Sequence, residues 1–354
     1  MEDKNAKGKY WIAHLKNQWY LATTSKKLTK KPKRITLFDI PIVFFRTESG
    51  KPIALLDRCP HRNVPLSLGW VKNENIVCKY HGWELDCHGQ CFNIPSLVDT
   101  KPKSSWKTPS FSTIEQQGLV WICAQQDIIP INKPFLFPHF DNPQYHHVTF
   151  HYKMRGTVHA VLENMLDVPH TAFTHQGLFR NEVKNKITVI IRRSSDRVEA
   201  EYVGEPKPTG IVAKLLGMRE GKNEIVTHFD RFILPSISQV EYKIGERSHQ
   251  IISAALTPIS DFQTMFTSFI SFRLPLPTLL IQSLLKVFAN IVYLQDWRIV
   301  AGQTKNVKLF NEEKYISTQA DVLGPEIWRL LKRAERGDSF KESEVKEEKI
   351  LMVV

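Results

Sequence analysis

Cys59-Pro60-His61 and, after sixteen intervening residues, Cys78-Lys79-Tyr80-His81 constrain this chain more than any other feature. The spacing C-x-H then C-x-x-H places one thiolate and one imidazole on each of two loops. Two cysteines with two histidines suit a [2Fe-2S] cluster, with both thiolates on one iron and both imidazoles on the other. Nitrogen donors in place of two thiolates raise the reduction potential, so such a cluster accepts electrons from a flavin or ferredoxin and passes them on. A structural zinc ion is the competing occupant. Zinc fingers, however, usually pair cysteine with cysteine and histidine with histidine along the chain, and here the pairs are mixed.

The neighbouring sequence carries a resemblance. Cys59-Pro60-His61-Arg62, Pro65-Leu66-Ser67-Leu68-Gly69 and His81-Gly82-Trp83, followed by Gly89, Cys91, Ile94 and Pro95, resemble the Rieske domain of Rieske non-haem iron oxygenases. The resemblance begins at Trp19-Tyr20, takes in the approach Ile53-Ala54-Leu55-Leu56-Asp57-Arg58, and extends over most of residues 11 to 305. Within the family it is nearest the vanillate O-demethylase-like monooxygenase branch.

At 354 residues the chain has room for two domains and a sizeable core. Ile35 to Phe38, Ile42 to Arg46, a Glu48-Ser49-Gly50 turn, Ile53 to Leu56, a hairpin at His88-Gly89 and Leu119 to Cys123 read as short strands. They define an all-β Rieske [2Fe-2S] domain over residues 8–126. Pro130, Pro134, Pro138 and Pro143 mark a connector over 127–147. Consecutive strands near 186–193, 197–203, 224–234, 238–244, 248–257 and 263–272, with a long helix over 278–305, predict an α+β domain over 148–330. By resemblance it is a helix-grip, START-like catalytic domain, its curved antiparallel sheet wrapped around the long C-terminal helix. The charge-mixed end, 331–354, reads as a mobile tail. The apolar run Leu279 to Tyr293 is interrupted by Gln282, Ser283, Lys286 and Asn290 and falls short of a bilayer span. It reads as a buried helix, with an interfacial membrane helix as the alternative.

Glu163 to His175 is the second informative stretch. His170 and His175 lie five residues apart, so on a regular helix they would point about 140° apart, at roughly 100° per residue. A bend would be needed to bring them together, and Pro169 supplies a reason for one. The run resembles the family's N-x-x-D-x-x-H-x-x-x-x-H motif, which implies that His170 and His175 bind a mononuclear Fe(II). A facial triad needs one carboxylate as well. Asp296, the only acid between Asp261 and Glu312, lies in a segment, Gln295 to Gln303, that resembles the family's distal-ligand region. A salt bridge from Asp296 to Arg298 or Lys305 is the alternative. Asp167 sits three residues before His170, where it would accept the free ring N–H of that histidine. His159 and His88 read as ordinary polar residues.

What the resemblance implies is a terminal oxygenase. Electrons from NAD(P)H would arrive through a separate reductase or ferredoxin, since the chain has no Gly-rich dinucleotide fingerprint. O2 would be activated at the iron, and an aromatic or other lipophilic small molecule would be hydroxylated or O- or N-demethylated. Also implied is a homotrimer in which His81 of one chain meets Asp167 of the next. A sterol or lipid hydroxylase or desaturase of the same family is one alternative. A Rieske electron carrier with a ligand-binding but inactive second domain is another. A net charge of +12 suits an acidic electron donor. The basic residues are spread along the chain with no nucleic-acid motif, which argues against nucleic acid. Five cysteines, two of them assigned to iron, and an N-terminal stretch without an apolar h-region lead to a cytoplasmic expectation in which a membrane partner is not expected.

Overall fold

The computed structural model describes residues 9–98, 103–130, 132–178, 185–205, 226–245, 248–274, 278–338 and 346–353. It forms two compact units, one from Leu15 to Leu136 and one from Phe137 onward that also includes the segment up to His14.

The first unit is built from β1 (Trp19–Thr24), β2 (Lys33–Leu37), β3 (Ile40–Arg46), β4 (Pro52–Leu56), β5 (Trp70–Lys72), β6 (Asn75–Val77), β7 (Glu84–Leu85), β8 (Cys91–Asn93), β9 (Ser110–Gln116) and β10 (Leu119–Gln126). They form a six-stranded sheet, β1-β10-β9-β4-β3-β2, and a four-stranded one, β5-β6-β7-β8. Period-two alternation makes β3 a wall between two cores. Val43 and Phe45 pack with Leu55, Cys59, Cys78 and Trp83, whereas Ile42 and Phe44 pack with Tyr20, Leu37, Val120 and Ile122. Two-residue turns with positive φ close β2 to β3 at Phe38-Asp39 and β9 to β10 at Gln117-Gly118, as the twist of antiparallel hairpins favours. Gly89 (φ +77) is needed where its chain passes Thr108, because a Cβ there would lie 2.0 Å from the Thr108 carbonyl oxygen.

The second unit holds β11 (His146–Met154), α1 (Val158–Met165), α2 (Thr171–Thr174), β12 (Lys186–Arg193), β13 (Arg197–Val203), β14 (Val226–Ile233), β15 (Ile237–Ile244), β16 (Ser248–Ser260), β17 (Gln263–Arg273), α3 (Thr278–Phe310), α4 (Gly324–Arg336) and β18 (Lys346–Val353). Its eight strands pair antiparallel in the order β11-β17-β16-β15-β14-β13-β12-β18. Register separates the faces. Tyr202, His228 and Tyr242 align across β13, β14 and β15, as do Ala200, Asp230 and Val240, and Val198, Phe232 and Ser238. This buried face continues to Ile270 and Phe272, where Ile281 and Leu285 of α3 pack with Val148 and Phe150. The opposite face carries the ion pairs Arg192–Glu201 (2.7 Å) and Arg231–Glu199 (2.5 Å) and the pair Arg231–Glu241.

Four expectations are corrected. Residues from Lys9 join the second unit: Lys9 bridges to Glu312, and the Trp11 indole donates to Glu335 (2.8 Å). The 127–147 stretch is irregular as a connector would be, but it does not stand apart: the units divide within it, between Leu136 and Phe137. Its prolines offer carbonyls but no N–H, and the Trp19 indole donates to the Asn132 oxygen (2.6 Å) while the Gln116 amide donates to the Pro134 and Phe135 oxygens. The end expected to be mobile supplies the last turns of α4 and then β18, which pairs along β12 from Lys186–Val353 to Arg193–Lys346. Alternation there buries Met352, and Arg193 pairs with Glu348 (2.7 Å); residues 339–345 lie outside the described residues. Finally, the apolar run is buried on one side only from Ile281 to Tyr293, through Ile281 and Leu285.

Truncating Phe44, which is 1% exposed between β3 and its neighbours, should cost about 3–5 kcal/mol in denaturant unfolding, as large-to-small core changes do. Glu241 is opposed by burial, yet the His249 and Arg231 side chains hold its carboxyl down to about 2. The carboxylate pairing therefore stabilises the fold fully above the ordinary value of 4.5 and is lost as pH falls toward 2. Glu241→Gln should flatten the acid limb of a stability–pH curve in that window, and an unchanged slope would exclude this contribution.

Candidate metal centres

The cysteine and histidine pairs fall on two tight loops. In the first, between β4 and β5, the Cys59 amide donates to Val64 O (2.9 Å), and Asn63, at φ 62, donates back to Cys59 O (3.0 Å). In the second, between β6 and β7, Cys78 N–H donates to Trp83 O (2.9 Å) and Gly82 N–H to Cys78 O (3.0 Å). Asp57 braces the first loop from beneath. Its buried carboxylate accepts from the Ser67 amide and hydroxyl (both 2.7 Å) and from Arg34 (2.5 Å). Glu84 braces the second, accepting from Lys72 (2.8 Å) and Asn93 (2.9 Å).

Within this frame the four side chains pair by type. The Cys59 thiol hydrogen-bonds Cys78, which is the first reason the Cys78 thiol is pushed down, to about 6, and the Cys59 thiol is pushed up. His61 and His81 lie with ring centroids 4.6 Å apart, and His61 stacks on Trp83 at 4.8 Å and 4°. Burial, then the nearby His81 and Arg62, hold His61 below its ordinary pKa, and its Nδ1 is buried with no hydrogen-bond partner. An orphaned buried imidazole nitrogen costs desolvation energy unless something binds it. One ion would need all four ligating atoms in mutual contact. Among the described residues no such group includes these four, and the pairing into two sulfurs and two nitrogens fits a binuclear cluster instead.

The second site depends on a broken helix. Thr157 caps α1 by accepting from Ala160 N–H (3.1 Å), and α1 ends at Met165 before Asp167 and Pro169. α2 then restarts with His170 as its first flanking residue and His175 as its last. The bend brings the two Nε2 atoms within 3.2 Å, and Asp296 on α3 places Oδ1 3.0 Å from His175 Nε2 and 3.5 Å from His170 Nε2. Among the described residues these are the only three ligating groups that lie within 4.8 Å of one another. Donors about 2.1 Å from one ion at right angles would sit about 3 Å apart, so the triad fits a single metal with open positions.

Both rings are aimed from behind. His170 Nδ1 donates to the Asp167 backbone oxygen, with the Asp167 carboxylate 3.6 Å away, and His175 Nδ1 faces Gln295 Oε1 at 2.8 Å. These contacts leave both Nε2 lone pairs directed at the triad. Burial opposes charge on His170, but the Asp296 and Asp167 carboxylates raise its pKa. Burial likewise opposes the Asp296 carboxylate, which His170 and His175 nevertheless hold below its usual range. Asn164 reaches Asp296 at 3.4 Å, and the Asp296 carboxylate pairs with His170 and His175 rather than with Arg298 or Lys305. Gly156 lets the start of α1 approach α3, since a Cβ would meet Val300 at 2.5 Å.

Sequence reasoning missed Gln295 as the residue aiming His175. It also missed a buried cluster on the sheet face that carries α3: His228 between Glu205 (2.6 Å) and Asp230 (3.0 Å), stacked by Tyr202 and Tyr242. Burial raises the Asp167 pKa, His170 opposes the rise, and the Asp321 and Asp230 carboxylates add to it. Alternation of His228 and Asp230 on one strand face was the available signal. His159 is a buried polar residue, paired with Glu313 (2.9 Å) and Thr157 (3.1 Å). Cys87 and Cys91 are free thiols beside the cysteine loops, as fillers would be.

Comparison with known proteins gives two family matches: a Rieske [2Fe-2S] domain over residues 18–111, and the vanillate O-demethylase oxygenase C-terminal domain over residues 154–337. The dicamba O-demethylase oxygenase component of Stenotrophomonas maltophilia is 33% identical over 175 residues, 47% of this chain and 49% of that protein, so the alignment spans about half of that relative. The vanillate O-demethylase oxygenase subunit of a Pseudomonas species is 24% identical over 90% of this chain and 94% of that one. The crystal structure of dicamba monooxygenase bound to dicamba superimposes with a TM-score of 0.76 at 21% identity, covering 92% of this chain and 99% of the other; it shares the fold, a Rieske domain followed by a sheet-rich domain.

Replacing Cys78 with serine should abolish the visible absorbance of a reconstituted [2Fe-2S] cluster, and a surviving spectrum would remove Cys78 as a ligand. Gln295→Leu, which removes the Gln295 contact to His175 Nδ1, should weaken binding of ferrous iron about 10–100-fold in a titration, with the cluster spectrum unchanged.

Proposed function

The chain belongs to the Rieske oxygenases that carry the vanillate O-demethylase oxygenase C-terminal domain, and on that premise we propose that it is the terminal oxygenase of a system that demethylates or hydroxylates a small aromatic or other lipophilic molecule. The observation that carries the reading is the convergence of His170, His175 and Asp296 on one point, with both imidazoles locked through their outer nitrogens. Cys59, Cys78, His61 and His81 would hold the [2Fe-2S] cluster, and the triad a mononuclear Fe(II). When bound, these groups supply single electrons and activate dioxygen, respectively.

The chain's own residues have distinct tasks. Asp167 and Gln295 fix the imidazole planes, and Asn164 steadies the Asp296 carboxylate. Val240, Ile252 and Ile270 align across β15, β16 and β17 on the sheet face that also carries the polar His228 cluster. His228, which has an acceptor at each ring nitrogen, would set the polarity that a substrate meets.

Electrons would come from a separate reductase or ferredoxin, whose acidic surface would suit the net charge of +12. The Asp167 side chain is 36% exposed and His81 is exposed. Both ends of a contact between His81 of one chain and Asp167 of the next are thus open to a neighbour, as a homotrimer requires. Five free cysteines suit the reducing cytoplasm. The electron-carrier reading would leave the gathered triad without a purpose.

NAD(P)H-driven oxygen uptake with a surrogate reductase and methoxylated aromatic acids is expected to depend on substrate. Asp296→Asn should remove the mononuclear iron but not the cluster, lowering content from about three irons per chain to about two. Retention of the third iron would sink the assignment of Asp296. Asp167→Asn should keep both metals and slow reoxidation of the reduced cluster about 10–100-fold; unchanged transfer would exclude the bridging role.

A further inference from the structure

The outward side of α3 carries a pattern that the metal site does not use. Leu284, Val287, Ile291 and Leu294 are 56, 62, 42 and 52% exposed, and their spacing of three, four and three residues aligns them in one stripe. The same stripe continues through exposed Arg298 and Lys305 to Leu309, with Lys286 and Lys308 exposed on its flank. Asp296 is the only acid from Phe262 to Asn311, and its side chain is turned inward, 17% exposed. The outward face is therefore apolar in its first half, cationic in its second and free of carboxylates.

We propose that this face docks on an anionic lipid surface. Leu284, Val287, Ile291 and Leu294 enter the headgroup layer, and Lys286, Arg298 and Lys305 meet lipid phosphates. Charge selects this occupant. Two copies of the face placed together, parallel or antiparallel, would set lysine and arginine against each other with no carboxylate between them. No helix among the described residues is long and apolar enough to cross a membrane, so α3 lies along the surface. The overall charge of +12 acts in the same direction.

Co-sedimentation of the full chain with vesicles tests this without any turnover, so its outcome is independent of the oxygenase reading. Binding to phosphatidylcholine vesicles containing phosphatidylglycerol should exceed binding to phosphatidylcholine alone about tenfold and weaken with added salt. Leu284→Glu with Leu294→Glu should abolish it, and Arg298→Glu with Lys305→Glu should remove the preference for phosphatidylglycerol, while both variants keep the cluster absorbance. Equal or absent binding of the wild-type chain to the two vesicles overturns the proposal. So does a fall in assembly mass by sedimentation equilibrium in the Leu284→Glu, Leu294→Glu variant, which would assign the face to a contact between copies.

Discussion

Two imidazole nitrogens facing each other across 3.2 Å, with a carboxylate oxygen 3.0 Å from one of them, cannot rest as bare lone pairs. A cation or a shared proton must lie among them. Much of the second unit can be read as the means of holding that arrangement. The break between α1 and α2 turns histidines that a regular helix would separate toward one point, and α3 delivers the carboxylate from more than a hundred residues away in sequence. Behind the rings, the Asp167 carbonyl and the Gln295 side chain take up the outer nitrogens, so rotation of either imidazole would leave a buried donor unpaired.

The smaller unit solves a similar problem with different parts. Its ligand loops are fixed by short backbone hydrogen bonds around Cys59 and Cys78, and by buried carboxylates at Asp57 and Glu84 that accept from the loops' surroundings. Trp83 then sets the plane of His61 by stacking. In both units the groups that would bind metal are aimed by residues that would not, which is why the second layer carries as much of the geometry as the ligands do.

How much was legible follows from how local each feature is. The Cys59, His61, Cys78 and His81 pattern and the Asp167 to His175 run are short stretches whose residue types and spacing speak for themselves. Asp296 could be found because it is a lone acid in a long apolar and basic segment. Gln295 gave no such signal, since a glutamine beside a ligand is common and only the folded chain brings its side chain to His175. The Glu205–His228–Asp230 cluster was hidden for the same reason: strand register, not composition, brings it together. The charge-rich end looked solvated because its partner, the free edge of β12, is distant in sequence. The apolar run in α3 looked buried because hydrophobicity averaged along a helix does not say which side has a neighbour.

Periodicity and short-range spacing are enough to specify the all-β first unit, the sheet-and-helix second unit and the residues able to ligate metal. It takes the folded chain to bring three ligating groups to one point, to supply the residues that orient them, and to leave one face of α3 to solvent. Those outcomes depend on contacts between segments far apart in the chain, where no local pattern specifies the partner.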